Sequence, residues 1–569
     1  MGKKIIKNLS IILIFILSIG VFSVFCACDG DAKERQRRES DVLESTKLPS
    51  VIQNINDGFI TIDQVISQAY SNDGNNSGII ECPYYTVKFS GGKDGERKDG
   101  TIHSYSVPLY KQELLSFGYI EATSDMFPIT VTLSSKYSGW DINFARVIPM
   151  KYLVETNVLG GTVTFQINDF NTYTVLFNDA AVEFKRPFTL FVKEHEEIDV
   201  PEGYDLIEFE AGLHYLNRIV NNSTGDGIKS KTFIYLHPGA YLVAKMPDIY
   251  SESHIQDSHG HDVWKGFVYF AGQDDLIVKG HGVIDLSALP LHARTPFEIS
   301  SANNVTLEGF TLINSSAWTI QVRNCTNVNI NNIALMSYKI NSDGIAICNT
   351  QDATVKNSFV CSGDDLFEVK AVDASSMSGT GGNNILFDNC QAWALKTRAF
   401  GFIQESEMDV SDVTFNNCSV IYHDADFTMS DAFTSMGAFV VVVGDVSTIK
   451  NITFRSCDTY YADKYQINIV LADNAWTTSE CKGKIENITF EGMSFSDWKS
   501  GIQIVNYKKS NSDINDVKNI IFKDIYVGGT KQTLTEIKNQ IHFYGSANSS
   551  LLLEDNENGT LYYNKATAA

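Results

Sequence analysis

The chain has 569 residues, 43% of them hydrophobic and 20% charged, an ordinary globular composition with room for more than one domain. It carries 68 acidic side chains against 45 basic ones, a formal charge of −23. No basic field exists to displace counterions from phosphates, which excludes nucleic acid as a partner. A polyanionic ligand is disfavoured too, unless a local basic cleft overrides the global sign.

At the N-terminus, Lys3, Lys4 and Lys7 precede an apolar run from Ile11 to Phe25, followed by Cys26-Ala27-Cys28. A charged start, an apolar centre and a small-residue end predict a signal peptide over 1–28. The Phe-Cys-Ala-Cys ending resembles a bacterial lipoprotein signal and implies lipidation of Cys28, with plain secretion as the alternative. No later segment reaches 18 apolar residues, so membrane contact is expected only through this anchor, on a monomer outside the cell. Residues 29–50 are polar and charged and suit a flexible tether. Beyond Cys26 and Cys28 lie eight cysteines with no CxxC pair, so no metal or other cofactor is expected. Export permits disulfides. Cys390, Cys418 and Cys457 occupy one repeated position, where a small buried hydrophobe is the better reading.

Residues 51–198 alternate as strands without a repeat: Thr86–Phe89, Ile129–Leu133, Gly161–Ile167 and Tyr173–Phe177. Turn signals at Gly91-Gly92 and Lys98-Asp99-Gly100 separate some of them. An antiparallel β-sandwich fits this pattern, ending in a charged stretch near Pro201.

From 199 to 569 the chain repeats itself. Asn304-Val305-Thr306-Leu307-Glu308-Gly309-Phe310 recurs in related form from Asn327, Asn384, Asp412, Asn451, Asn487 and Asn519, with a looser copy over Gln351 to Phe359. Each unit alternates as one short strand, and no 3.6-residue period is present. The closing positions Phe310, Ile333, Cys390, Cys418, Cys457, Met493 and Ile525 form a face that only stacked coils can bury. These features predict an all-β chain whose second part is a right-handed parallel β-helix.

Within that solenoid, Asn341-Ser342-Asp343-Gly344 is followed by Ser362-Gly363-Asp364-Asp365. One coil separates them, and stacked strands lie about 4.8 Å apart. The spacing therefore gathers Asp343, Asp364 and Asp365 on one face. Crowded carboxylates raise one another's pKa, so one can stay an acid while another stays a base, the pairing that cleavage of a glycosidic bond needs. The competing readings are coil-ending turns and a calcium site. Lys370 is a substrate donor or a counterion for the carboxylates. Arg398, Gln404 and Glu405 should flank the cleft from the next coil, although a surface position is the default for each. His423 is expected as a solvated loop residue. Trp318 and Trp393 are sugar platforms or packing residues.

From about residue 205 onward the chain resembles the β-helical glycoside hydrolases of the clan holding family 28 (polygalacturonases) and family 49 (dextranases and relatives). Asn341-x-Asp343, then Gly363-Asp364-Asp365, an apolar run and Lys370 resemble the first two family 28 motifs. The leading sandwich, Pro187–Val192 and Tyr235–Tyr241 resemble family 49. The resemblance implies an inverting hydrolase in which Asp364 is the general acid while Asp343 and Asp365 activate water, with Asn341, Lys370, Arg398, Gln404 and Glu405 around the substrate. Family 28 also carries Gly-His-Gly and Arg-Ile-Lys; here the corresponding stretches are Arg398–Glu405, without histidine, and Tyr465–Ile469, without either basic residue. That shifts the expected polysaccharide from galacturonan to a neutral glycan such as an α-glucan. The alternatives are a polygalacturonase-like pectin hydrolase and, behind it, a polysaccharide lyase or a non-catalytic glycan-binding solenoid.

Overall fold

The computed structural model describes residues 42–48, 78–92, 97–108, 114–136, 142–178, 186–250, 252–257, 260–372 and 381–425. It continues over 433–478, 480–507, 516–545, 553–556 and 558–563. Cys28, the signal segment and most of the expected tether lie outside the described residues. Leu43–Ala569 forms one compact unit. No described helix is long and apolar enough to cross a membrane.

Two sheets make the first layer pair. One contains Tyr85–Gly91, Lys98–Ile102, Ile129–Ser135, Thr156–Leu159 and Thr162–Ile167; the other runs from Leu43–Glu44 through Leu114–Ala122 to Phe188–Glu194. All the ladders are antiparallel except Leu114–Ala122 with Phe188–Glu194. Alternating residues such as Val87, Phe89, Val131 and Phe165 meet Ile120, Tyr173 and Leu190 in a shared core, as the period-two pattern requires. Two expectations fail here. Leu43–Glu44, placed in the tether, pairs with Glu121–Ala122 because Leu43 and Leu48 have apolar surface to bury. Lys98-Asp99-Gly100, taken as a turn, is a strand in which Gly100 faces Phe89. A Cβ on Gly100 would lie 2.4 Å from that ring, so the glycine makes room for an aromatic cross-strand neighbour rather than reversing the chain.

From Asp205 the chain is a parallel β-helix of three sheets. The first sheet starts with Asp205–Phe209 and its parallel ladder runs to Val517–Lys523. The second runs from Gly212–Leu216 to Tyr526–Val527, and the third from Val268–Ala271 to Ile541–Gly545. The repeated unit is the first-sheet strand. Its opening residue is left-handed every time: Asn304, Asn327, Asp352, Asn384, Asp412, Asn451, Asn487 and Asn519 have φ between 53° and 59°. Asparagine and aspartate tolerate that region best among residues with a side chain, and their amides chain from coil to coil, as in Asn487 to Asn451 at 2.9 Å and Asn519 to Asn487 at 2.8 Å. Inside, Phe387, Phe415, Phe454, Phe490 and Phe522 stack at 4.7–5.5 Å. The closing positions are all buried, and the eight described cysteines are buried and form no disulfide with one another.

The outer face of the second sheet is not solvent-facing. Tyr241, Val283, Phe359, Trp393 and Ile421 pack against Phe117, Tyr119 and Phe191 of the sandwich. Trp393 is 1% exposed and stacks on Tyr422 at 5.4 Å, which assigns it to packing rather than to sugar.

Candidate active site

The turns that carry the chain from the second sheet to the third lie coil over coil. Thr319 donates its N–H to Asp343 O at 2.7 Å, Gly344 to Asp365 O at 2.7 Å, and Leu366 to Arg398 O at 3.2 Å. This ladder continues the strand pairing through the turns, so the side chains between are stacked in one row. The row needs close backbone approach: a Cβ on Gly344 would lie 2.4 Å from Leu366 O, and one on Gly363 2.4 Å from Tyr338 O. Asn341, half-buried and left-handed at φ 58°, bends the chain into the row.

The three aspartates converge there, with one oxygen of each within 4.8 Å of the others. Asp343 and Asp365 are buried, whereas Asp364 is half-buried. Asp364 accepts the N–H of Asn341 at 3.0 Å and that of Asp365 at 3.1 Å. Arg398, also buried, donates from one nitrogen to both oxygens of Asp365, at 3.2 and 3.0 Å. Its remaining nitrogens reach the backbone oxygen and hydroxyl of Ser435. Lys370 lies 3.5 Å from Asp343, 3.3 Å from Glu368 and 3.2 Å from Glu405, with its ammonium 4.1 Å from the centre of the Trp318 ring.

Five carboxylates thus surround two cations. Burial and the neighbouring charges of Asp364 and Glu368 push Asp343 well above the usual carboxylate range. Burial and the charge of Asp365 lift Asp364 to about 6, against the opposing pull of the Asn341 N–H, Arg398 and Lys370. Burial takes Glu368 to about 8 and raises Glu405 as well. Desolvation would lower the Lys370 ammonium, but Glu368, Glu405 and Asp343 outweigh it and hold the charge in place. The physical cause is common: two cations balance two of the five anions, and a buried site keeps protons on the remainder. One oxygen of Asp343, buried from solvent, has no hydrogen-bond partner among the described residues.

Several residues sit where the sequence did not put them. Arg398 and Gln404 are not surface groups; they are 2% and 3% exposed. Gln404 and Glu405 are presented by a register shift in which Ala371 pairs with Ser406 although Val369 pairs with Phe402. His423 is fully buried at the end of the second-sheet strand Ser419–His423. Burial pushes its imidazole down to about 4, with the Thr397 backbone and the Arg398 charge among the groups acting on it. Glu368 went unnoticed in the sequence. The signal was available: in Phe367-Glu368-Val369-Lys370-Ala371 the apolar positions alternate inward, which places Glu368 and Lys370 together on the outer face. In the stretch aligned with Arg-Ile-Lys, Asn468 donates to Thr434 O and Met436 O at 2.9 Å each, and Gln466 to Asp497 O at 3.0 Å. Those amides hold loops.

Residues 292–428, the segment bearing all three aspartates, match the model of glycosyl hydrolases family 28. The motif resemblance therefore holds over this segment. An exopolygalacturonase of Arabidopsis thaliana is 28% identical over 135 residues, which is 23% of this chain and 30% of that protein; the chain spans less than a third of the length of this relative. Among solved structures, Dex49A from Penicillium minioluteum is similar at 11% identity and a TM-score of 0.48, over 83% of this chain and 95% of that one. A hyperthermoactive exopolygalacturonase from Thermotoga maritima is similar at 13% identity and a TM-score of 0.36, over 58% and 86%.

Proposed function

We propose that this chain is a polysaccharide hydrolase that inverts the anomeric carbon, with Asp364 as general acid and Asp343 and Asp365 holding the attacking water. The observation that carries the reading is the convergence of three aspartates, one of them less buried than the others and lifted to about 6. A proton donor must reach the leaving oxygen, and the half-buried Asp364 is the most accessible of the three. Asp365, bound by Arg398, is the anion that orients the water. Asp343 begins protonated or shares its proton with Asp364, so the cluster titrates as a unit.

The nearest oxygens, within 4.8 Å, are closer than the roughly 6.5–9.5 Å usual between the carboxyls of inverting enzymes, and nearer the 5–5.5 Å of retaining ones. A water can still bridge two carboxylates at this separation, because two hydrogen bonds of about 2.7–2.8 Å span it. Proton NMR of the first product should show the inverted anomer. The retained anomer would instead make Asp343 or Asp365 a nucleophile.

A neutral glycan such as an α-glucan is the preferred substrate class. Both cations that touch the aspartates, Lys370 and Arg398, are already engaged by carboxylates, and a uronate brought among them would carry a desolvation cost of several kcal/mol. The family 28 match and the exopolygalacturonase relative favour a second reading, hydrolysis of a pectin. Reducing-end release from a panel of α-glucans and pectins separates the two: rapid cleavage of polygalacturonate with none of any glucan would overturn the neutral-glycan reading. Unsaturated products absorbing in the ultraviolet would overturn hydrolysis itself. Export, with lipidation at Cys28, belongs to the same proposal; fatty-acid labelling should be lost in Cys28→Ala.

A further inference from the structure

Asp257, His261 and His292 lie outside the machinery described above and converge on one point. His261 Nδ1 is 2.9 Å and His292 Nδ1 2.6 Å from the same oxygen, Asp257 Oδ2. The other carboxylate oxygen is committed to the His261 N–H at 2.9 Å. The two rings meet edge to face, with centroids 4.9 Å apart. Two segments supply these groups and each is anchored separately. The hairpin His254–Gln256 with Asp262–Trp264 carries Asp257 and His261 in its turn. The second-to-third-sheet turn before Phe297 carries His292, held left-handed at φ 64° with its N–H on Ser316 O. Trp264 N–H to Ala293 O at 2.9 Å, and the buried Arg294 to Glu252 at 2.7 Å, lock the two segments together.

We propose that Asp257, His261 and His292 form a binding site for a divalent transition cation, zinc first among them. Two imidazoles and one carboxylate are the donor set that suits zinc and its neighbours, whereas calcium and magnesium take oxygen ligands. The Nδ1 atoms of both rings already aim at one carboxylate oxygen, so part of the ordering cost of a metal site is already met. Tetrahedral zinc with bonds of about 2.0–2.1 Å holds donors roughly 3.4 Å apart, so His261 and His292, now 2.9 and 2.6 Å from the carboxylate oxygen, need part from it by less than about 1 Å. His261 is 42% exposed, which leaves an entry path for the ion. The site uses no cysteine, and cysteine spacing gave no hint of it. It stands two coils before Asp343 in the same row of turns, since His292 bonds to Ser316 and Thr319 to Asp343. The ion would clamp the hairpin to that end of the cleft.

The test uses the full chain, stripped with a chelator and titrated with Co2+ or Zn2+ alone. One Co2+ per chain should bind with the visible absorption of a four-coordinate centre, and Zn2+ should displace it. Asp257→Ala and His261→Ala should each weaken binding by more than the roughly 10–100-fold that loss of a mere supporting partner costs. Asp343→Asn should leave it unchanged. Circular dichroism of the stripped variants verifies folding, and His261→Ala, at the most exposed of the three positions, is the variant least able to disturb it. Absence of a stoichiometric cobalt spectrum would show a hydrogen-bonded His–Asp–His clasp and overturn the proposal. So would binding that survives both substitutions, or that disappears in Asp343→Asn.

Discussion

Asp364 differs from its two partners in what surrounds it: two backbone N–H groups, partial access to solvent and, among the described residues, no ion-paired cation. Asp364→Asn should therefore lower kcat by about 10²–10⁴-fold, and aryl glycosides with good leaving groups, where accepted, should partly rescue it. In the parent, kcat/KM should fall as pH rises through about 6, the value to which Asp364 is lifted; this apparent pKa belongs to the coupled cluster, and the alkaline limb should flatten in the variant. Melting separates the three aspartates further. Asp364→Asn relieves repulsion, and Asp343→Asn replaces a carboxyl that already tends to hold its proton, so both should melt no lower than the parent. Asp365→Asn weakens a buried pair with Arg398 and should destabilise by up to about 3–5 kcal/mol. Glu368 supplies a pH test. Its folded pKa, about 8, stands above the usual unfolded value of about 4.3, so its contribution is fully present below pH 4 and is lost as pH rises through 8. Glu368→Gln should abolish that loss, seen as a smaller drop in melting temperature between pH 5 and pH 9. The aspartate triplet was legible because coil spacing is a sequence property. Glu368 was legible too, through its alternation with the apolar positions of Phe367–Ala371, and was overlooked; the burial of Arg398 and His423 was not legible, because burial depends on what the neighbouring coils and the sandwich cover.

At the scale of the element, the repeat was legible for a backbone reason. A left-handed residue recurs at one fixed position of the repeated first-sheet unit, and asparagine or aspartate fills it in every unit named above. The apolar closing position and the phenylalanine ladder follow from stacking, so one-dimensional periodicity carried nearly the whole solenoid. Non-repeating segments gave less. The strand Lys98–Ile102 looks like a turn because its Gly100 answers a ring on the facing strand, a partner remote in sequence. The ladder offers a test. Phe415 is stacked at 4.8 Å on Phe387 and at 4.7 Å on Phe454. Phe415→Ala leaves a cavity between two coils that cannot collapse without breaking their register, and should cost about 3–5 kcal/mol in denaturant unfolding. Phe415→Leu should cost clearly less. Equal losses would mean that stacked coils tolerate voids at this position.

Across the whole molecule, the sandwich braces the site from behind. Phe191 packs against Tyr119 at 5.4 Å within its own layer and against Phe359 of the solenoid at 5.6 Å. Phe359 opens the second-sheet strand that ends at Ser362, immediately before Gly363 and the aspartate pair. Trp393 and Leu395 lie in the same apolar contact, and Leu395 begins the turn that delivers Arg398 to Asp365. Cutting back Phe191 should therefore act at a distance. Phe191→Ala should destabilise by about 3–5 kcal/mol, shift the tryptophan emission to the red as Trp393 gains water, and lower kcat more than it raises KM, because the turn that positions Arg398 loosens while the rest of the cleft is unchanged. The parent should melt in one transition, since the shared core makes the layers lean on each other. Two separate melting steps in the parent, or full activity in folded Phe191→Ala, would show that the sandwich is carried by the solenoid without supporting its chemistry.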